Sequence, residues 1–286
     1  MLVQIIVNGL ILASNYALVA VGLTLAFGVM RMVNFAQGQS VMIGAYVAFT
    51  AAQRIGYLPA IALAIAVNAV LGVVLERVAF RPFRGAELKG LIASMGISII
   101  LINLAELVWG TSPIPFDTAL SHISFTIGTV GVSAQRALVV GVSFALLAGL
   151  WWLVHHSSLG RQFRAVSEDP EIASAMGIDT NRISQVSVVL GTSLAAAAGA
   201  VSGPVNLLSP EMGQAELLNA FAAIILGGFG NVSGTILGAL AIGMVQSFAA
   251  VYISNAYATS IAFALLLVTL IFFPRGLVPE RAEENV

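Results

Sequence analysis

The chain has 286 residues, of which 59% are hydrophobic and only 9% charged, against roughly 25% charged in a soluble domain. Its 12 basic and 13 acidic residues give a formal net charge of −1, which excludes a charge-covered soluble surface, intrinsic disorder and a basic nucleic-acid-binding face. The chain has no cysteine, which excludes disulfide staples, thiol catalysis and cysteine metal sites, and the class that remains is an all-α polytopic membrane protein.

A membrane-crossing helix needs about 20 apolar residues. Hydropathy predicts spans at 2–30, 36–53, 58–76, 91–109, 137–156, 184–203, 216–230, 234–253 and 257–273. That is eight to nine transmembrane helices, with the short 216–230 segment either spanning or re-entering, in a single domain over 1–286. No basic residue precedes Arg31, so the first apolar run reads as a retained span, not a cleaved signal peptide. Two connections are long: 110–136, with Pro113, Pro115, Asp117 and His122, and the charge-rich 157–182. Arg31, Arg77, Arg81, Arg84, Lys89, Arg161, Arg164, Arg182, Arg275 and Arg281 fall in alternate connections, and only Arg54 and Arg136 fall in the others. The positive-inside rule then predicts a cytoplasmic 157–182 loop and C-terminus, with 110–136 and the N-terminus outside. An internal echo accompanies this pattern. Phe35 precedes Gly44-Ala45 by nine residues, as Phe229 precedes Gly238-Ala239.

Chemistry is easier to exclude than to place. The histidines are His122, His155 and His156, without an HExxH pattern, and the last two read as an interfacial pair after Trp151-Trp152. The single lysine, Lys89, does not stand in a Gly-Lys-Ser/Thr loop, so ATP hydrolysis, if it drives this protein, belongs to another polypeptide. Glu76 and Glu106 lie near span ends, Glu211 and Glu216 in an outer segment, and no carboxylate sits at a span centre. That pattern weighs against a proton-coupled carrier. Asn8, Asn15, Tyr16, Thr24, Asn68, Asn103 and Gln246 are either pathway lining or interhelical hydrogen bonds. Gly199 with Gly203 and Gly234 with Gly238 predict close helix packing. Asn34 and Gln37 near one turn, and Gly227, Gly228 and Asn231 near another, are the candidate pathway residues, because broken, glycine-rich helices expose backbone groups in transporters. Tight turns account for the same residues equally well.

The 157–182 loop carries the most information. Ser167, Glu168 and Asp169 precede Pro170, a pattern that favours a helix start. A short helix is predicted from Pro170 to Met176, ended by Gly177. Ala173 and Met176 share a face near Ile172, and apolar residues in a solvent-facing loop call for a partner surface. Arg161, Arg164, Glu168, Glu171, Ala173 and Gly177 are therefore the expected docking residues.

Here the sequence resembles a family. Glu171-Ile172-Ala173 followed by Gly177 is similar to the Glu-Ala-Ala-xxx-Gly loop of ATP-binding-cassette importer permeases, with Ile172 in place of an alanine. The downstream part of that pattern is absent, a departure found in the branched-chain amino acid branch. Val33-Asn34-Phe35-Ala36-Gln37-Gly38, Glu76-Arg77-Val78-Ala79-Phe80-Arg81-Pro82-Phe83-Arg84, Ile225-Leu226-Gly227-Gly228-Phe229-Gly230-Asn231 and Pro274-Arg275-Gly276-Leu277 resemble the same branch in order, and most of all its LivH-type subunits. The resemblance implies a non-enzymatic permease subunit of a bacterial inner-membrane importer that binds no cofactor itself. It implies a second, LivM-like permease subunit, two cytoplasmic ATPase subunits that use ATP and receive the coupling loop, and a periplasmic substrate-binding protein. Amino acids, branched-chain ones foremost, are the implied substrates; related permeases serve urea, amides or aromatic acids. An ion-coupled carrier or channel acting alone, and a membrane scaffold without a transport pathway, are the rival readings.

Overall fold

The computed structural model describes residues 2–127, 130–254 and 257–272. The 274–277 motif, Arg275, Arg281 and the C-terminus lie outside the described residues. The helices are α1 Leu2–Met30, α2 Gln37–Ile55, α3 Tyr57–Leu75, α4 Glu87–Trp109, α5 Ala134–His156, α6 Ser158–Glu168, α7 Pro170–Ala175, α8 Thr180–Ser202, α9 Met212–Gly227, α10 Val232–Ala249 and α11 Ala258–Phe272. All nine predicted spans are helices. Six stretches are long and apolar enough to cross a membrane, and they do not include α2, α9 or α11. The fold is a helical polytopic membrane protein with one addition that hydropathy did not predict. Strands β1 Ser124–Ile127 and β2 Val130–Ser133 form an antiparallel hairpin with Ser124 opposite Ser133. The hairpin leads into α5, whose first turn is capped by Ser133 accepting from Arg136 N–H. The bundle thus has a hairpin end and, opposite it, an end that carries α6 and α7.

Small residues set the packing. A Cβ on Gly199 would overlap the carbonyl of Val41, one on Gly44 would overlap Ala196, and one on Gly238 would overlap the carbonyl of Ala223. Gly22 on α1 meets Gly191 on α8, and Gly227 on α9 meets Gly234 on α10. The predicted close approaches at Gly199, Gly234 and Gly238 are therefore real, as backbone-to-backbone contacts.

Helix α2 lies inside the bundle. Gln37 at its start donates from Nε2 to the carbonyl of Gly191, at 2.7 Å, in the middle of α8. A Cβ on Gly22 of α1 would stand 3.0 Å from the same Gln37 nitrogen. α1 runs eight residues past Gly22, about 12 Å at 1.5 Å per residue, so residues 31–36 must turn back into the bundle before α2 starts. Buried N–H groups need partners. Asn34 Oδ1 accepts from Ala36 N–H at 2.9 Å, and Ser94 Oγ accepts from Phe35 N–H at 3.1 Å.

The polar residues within spans mostly pair across helices. Tyr16 donates to Gln246 Oε1 at 2.6 Å, and Gln246 Nε2 donates to Asn219 at 2.8 Å, which joins α1, α9 and α10. Thr24 meets Thr235 at 3.0 Å, and Thr192 donates to the carbonyl of Asn68 at 3.0 Å. Glu216, expected in an outer segment, sits in the second turn of α9, beside Asn15 of α1. The hydropathy boundary fell at Glu216 because a carboxylate reads as the end of a span, whereas the helix begins four residues earlier, at Met212. Tyr16→Phe removes the donor to buried Gln246, with an expected loss of about 1 kcal/mol. A thermal melt of the detergent-solubilised protein checks this.

Candidate functional site

The 157–182 segment folds as an arm of two helices. Ser157 caps α6 by accepting from Gly160 N–H at 3.1 Å. Asp169 caps α7 by accepting from Glu171 and Ile172 N–H at 2.8 and 3.0 Å, and Asp179 caps α8 through Asn181 and Arg182 N–H at 3.0 and 3.1 Å. An acidic side chain suits the free N–H groups and positive dipole end of each helix. α7 ends as predicted at Gly177, whose φ is +85°. Ile178 N–H donates to Ala173 carbonyl and Gly177 N–H to Ser174 carbonyl, both at 3.0 Å, the pair of bonds that closes a helix on a left-handed glycine.

The two faces of the arm do different things. Phe163 and Val166 of α6 and Ala173 of α7 pack with Val29 of α1 and Ile183 of α8. Ala173 is only 2% exposed and faces the arm's own bundle. A three-residue spacing groups Ala173 with Met176 but does not say which side of a one-and-a-half-turn helix faces inward. Ile172 and Met176 are 60% and 78% exposed, and with exposed Glu171 they form the outer face. Arg161 and Glu168 are exposed on α6. Arg164 is exposed as well, and its Nη1 donates to the Val154 carbonyl of α5 at 2.9 Å.

Sequence reasoning missed two further anchors. Arg31, just past α1, has φ +52°, unusual for a residue with a side chain. Its Nη2 donates to the carbonyls of Ser167 and Glu168, at 3.3 and 3.1 Å, which ties the end of α1 to the end of α6. Glu76 is buried at the foot of α3 and ion-paired with Arg84, which also bonds Asn181 at the start of α8. The signal for that pair was present: both residues lie in the one charged stretch between the third and fourth spans.

The candidate pathway residues separate into two turns. Asn34 and Gln37 are fully buried and bonded to each other at 3.4 Å. Gly227 packs on Gly234, Gly228 ends α9 with φ +103°, and Asn231 caps α10 by accepting from Gly234 N–H at 3.0 Å. These are turn- and helix-forming roles. What the two turns bring together is the space between them. A cavity of about 620 Å³ opens at the α6–α7 end, with Arg31 and Met32 from the first turn, Phe229 from the second, Glu87 and Leu91 from α4 and Ser167 from α6 in its wall. Among the described residues, no group of three or more His, Cys, Asp and Glu side chains could hold a metal ion.

Comparison with known proteins places this geometry. The family described as the permease component of the branched-chain amino acid transport system matches residues 5–271. The high-affinity branched-chain amino acid transport system permease protein BraD of Pseudomonas aeruginosa is 35% identical, covering 99% of this chain and 97% of its own. The corresponding LivH protein of Escherichia coli is 32% identical, covering 98% and 96%. Among solved structures, PsaBC from Streptococcus pneumoniae in complex with Fab superposes with a TM-score of 0.53 at 16% identity, over 94% of this chain and 91% of that one, a likeness of fold alone.

Proposed function

The chain belongs to the family of permease components of branched-chain amino acid transport systems, and from that premise we propose that it is the membrane half of an ATP-driven importer. It moves amino acids, branched-chain ones foremost, across the bacterial inner membrane by alternating access. The observation that carries the reading is the α6–α7 arm: capped at each helix start, fixed to α1, α5 and α8, and presenting Ile172 and Met176 outward. A rigid element with an exposed apolar face and a buried attachment suits a part that receives motion from a partner and passes it on.

Two cytoplasmic ATPase subunits receive the arm, because the only lysine, Lys89, belongs to no phosphate-binding loop. A second, LivM-like permease completes the membrane unit, and a periplasmic binding protein delivers substrate. The chain is not itself an enzyme and binds no cofactor. Arg31, Arg84 and Arg164 make their contacts at the arm end, whereas Arg136 bonds Asn8 at the hairpin end. That asymmetry supports a cytoplasmic arm and C-terminus with the N-terminus outside.

The test is uptake of labelled L-leucine into proteoliposomes. Uptake is expected only when the chain is assembled with its permease partner, ATPases and binding protein, and only with ATP. Leucine uptake by this chain alone overturns the reading in favour of a self-sufficient carrier.

A further inference from the structure

The cavity at the arm end carries one charge of each sign in its wall. One lining residue is a cation, Arg31, one is an anion, Glu87, and the larger of the remaining side chains are apolar, including Met32, Leu91 and Phe229. Glu87 has no cation within ion-pair distance among the described residues. Arg31 uses Nη2 on the α6 carbonyls, which leaves Nη1 and Nε as donors.

We propose that this cavity binds a free zwitterionic amino acid from the arm side, and that its occupancy acts on the arm. The inference rests on the permease reading for its ligand class. An anion such as a phosphate head group would meet the carboxylate of Glu87, and a metal cation would meet Arg31; a zwitterion satisfies both charges at once. An aliphatic side chain has Met32, Leu91 and Phe229 to cover it. The volume exceeds that of one leucine-sized molecule, so binding is weak and exchangeable, as suits a site open to the side where the transported compound accumulates.

Occupancy and the arm are linked through one residue. The guanidinium that would take the ligand carboxylate is the one holding the Ser167 and Glu168 carbonyls, and Ser167 itself lines the cavity. A bound carboxylate draws on the same donors, so ligand affinity depends on where the arm sits and the arm's position depends on ligand. Amino acid accumulated on the arm side would thereby slow its own import.

Equilibrium binding of labelled L-leucine to the purified permease–ATPase complex, without binding protein, tests this. The wild-type complex is expected to bind saturably. Glu87→Gln, an exposed change at the first turn of α4, is expected to weaken binding about tenfold or more, and Leu91→Trp, which fills the cavity, to weaken it at least as much. Isocaproate, which lacks the ammonium, and leucinamide, which lacks the carboxylate, are expected to compete at least about tenfold less well than leucine. Absence of saturable binding, or binding that neither variant alters, overturns the proposal. ATP-driven leucine uptake by the same complex, supplied with binding protein, separates the two readings. Uptake without Glu87-sensitive binding removes the cavity site and leaves the permease. Glu87-sensitive binding without uptake leaves the site and removes the transport reading.

Discussion

Ile172→Asp combined with Met176→Asp is expected to reduce ATP-driven uptake by at least about tenfold, as removal of a central apolar contact does at an interface, while the melting temperature of the chain barely moves. Both side chains face outward, so the double change costs the isolated subunit little, within about 0.5 kcal/mol per surface site. It places two carboxylates where an apolar face meets the partner. Ala173→Trp gives the contrast. Ala173 belongs to one buried cluster with Val29, Phe163, Val166 and Ile183, where overfilling costs about 1–3 kcal/mol and would lift the arm from its own bundle. Uptake falls in both variants, but only Ala173→Trp lowers the melting temperature. Equal loss of stability in the two would mean that the outer face is not free for a partner.

Gly199→Leu is expected to abolish folded protein. The new Cβ would overlap the Val41 carbonyl of buried α2, and backbone lies on both sides of the contact, so neither helix can yield without displacing its other neighbours. The cost exceeds the roughly 1–3 kcal/mol of ordinary overpacking. Gly96→Leu is the control, since a Cβ there meets nothing within 4 Å. Size-exclusion profiles of the two variants in detergent check the pair: Gly96→Leu should run as the parent does, and Gly199→Leu should aggregate or fail to accumulate.

The helices themselves were legible from hydropathy, because a segment that must bury its own backbone in lipid announces its length. The arm was legible too, down to Gly177 as its left-handed stop, because caps and stops are local chemistry. What could not be read is which way a helix faces. Ala173 and Met176 share a face by spacing, yet one points into the bundle and the other out. Glu216 looked like a boundary because Asn15, the α1 residue beside it, lies some 200 positions earlier. The buried start of α2 was hidden for the same reason, since nothing near Gln37 in sequence tells of Gly191. Arg31 stood out only as the first basic residue, and its bond to α6 required the fold. The two turns were named from the sequence, but none of the five residues named there lines the cavity, whose wall is built in part from their neighbours Met32, Val33, Phe229 and Gly230.

The glycine contacts have a mechanical consequence. Where α1 meets α8 at Gly22 and Gly191, α2 meets α8 at Gly44 and Gly199, and α9 meets α10 at Gly227, Gly234 and Gly238, main chain rests on main chain. Few interlocked rotamers stand between such helices, so shear of one past its neighbour would exchange main-chain contacts, not side-chain ones. The arm, by contrast, is fastened through side chains at Val29, Arg31 and Arg164, so a displacement of α1 or α5 would carry the arm with it.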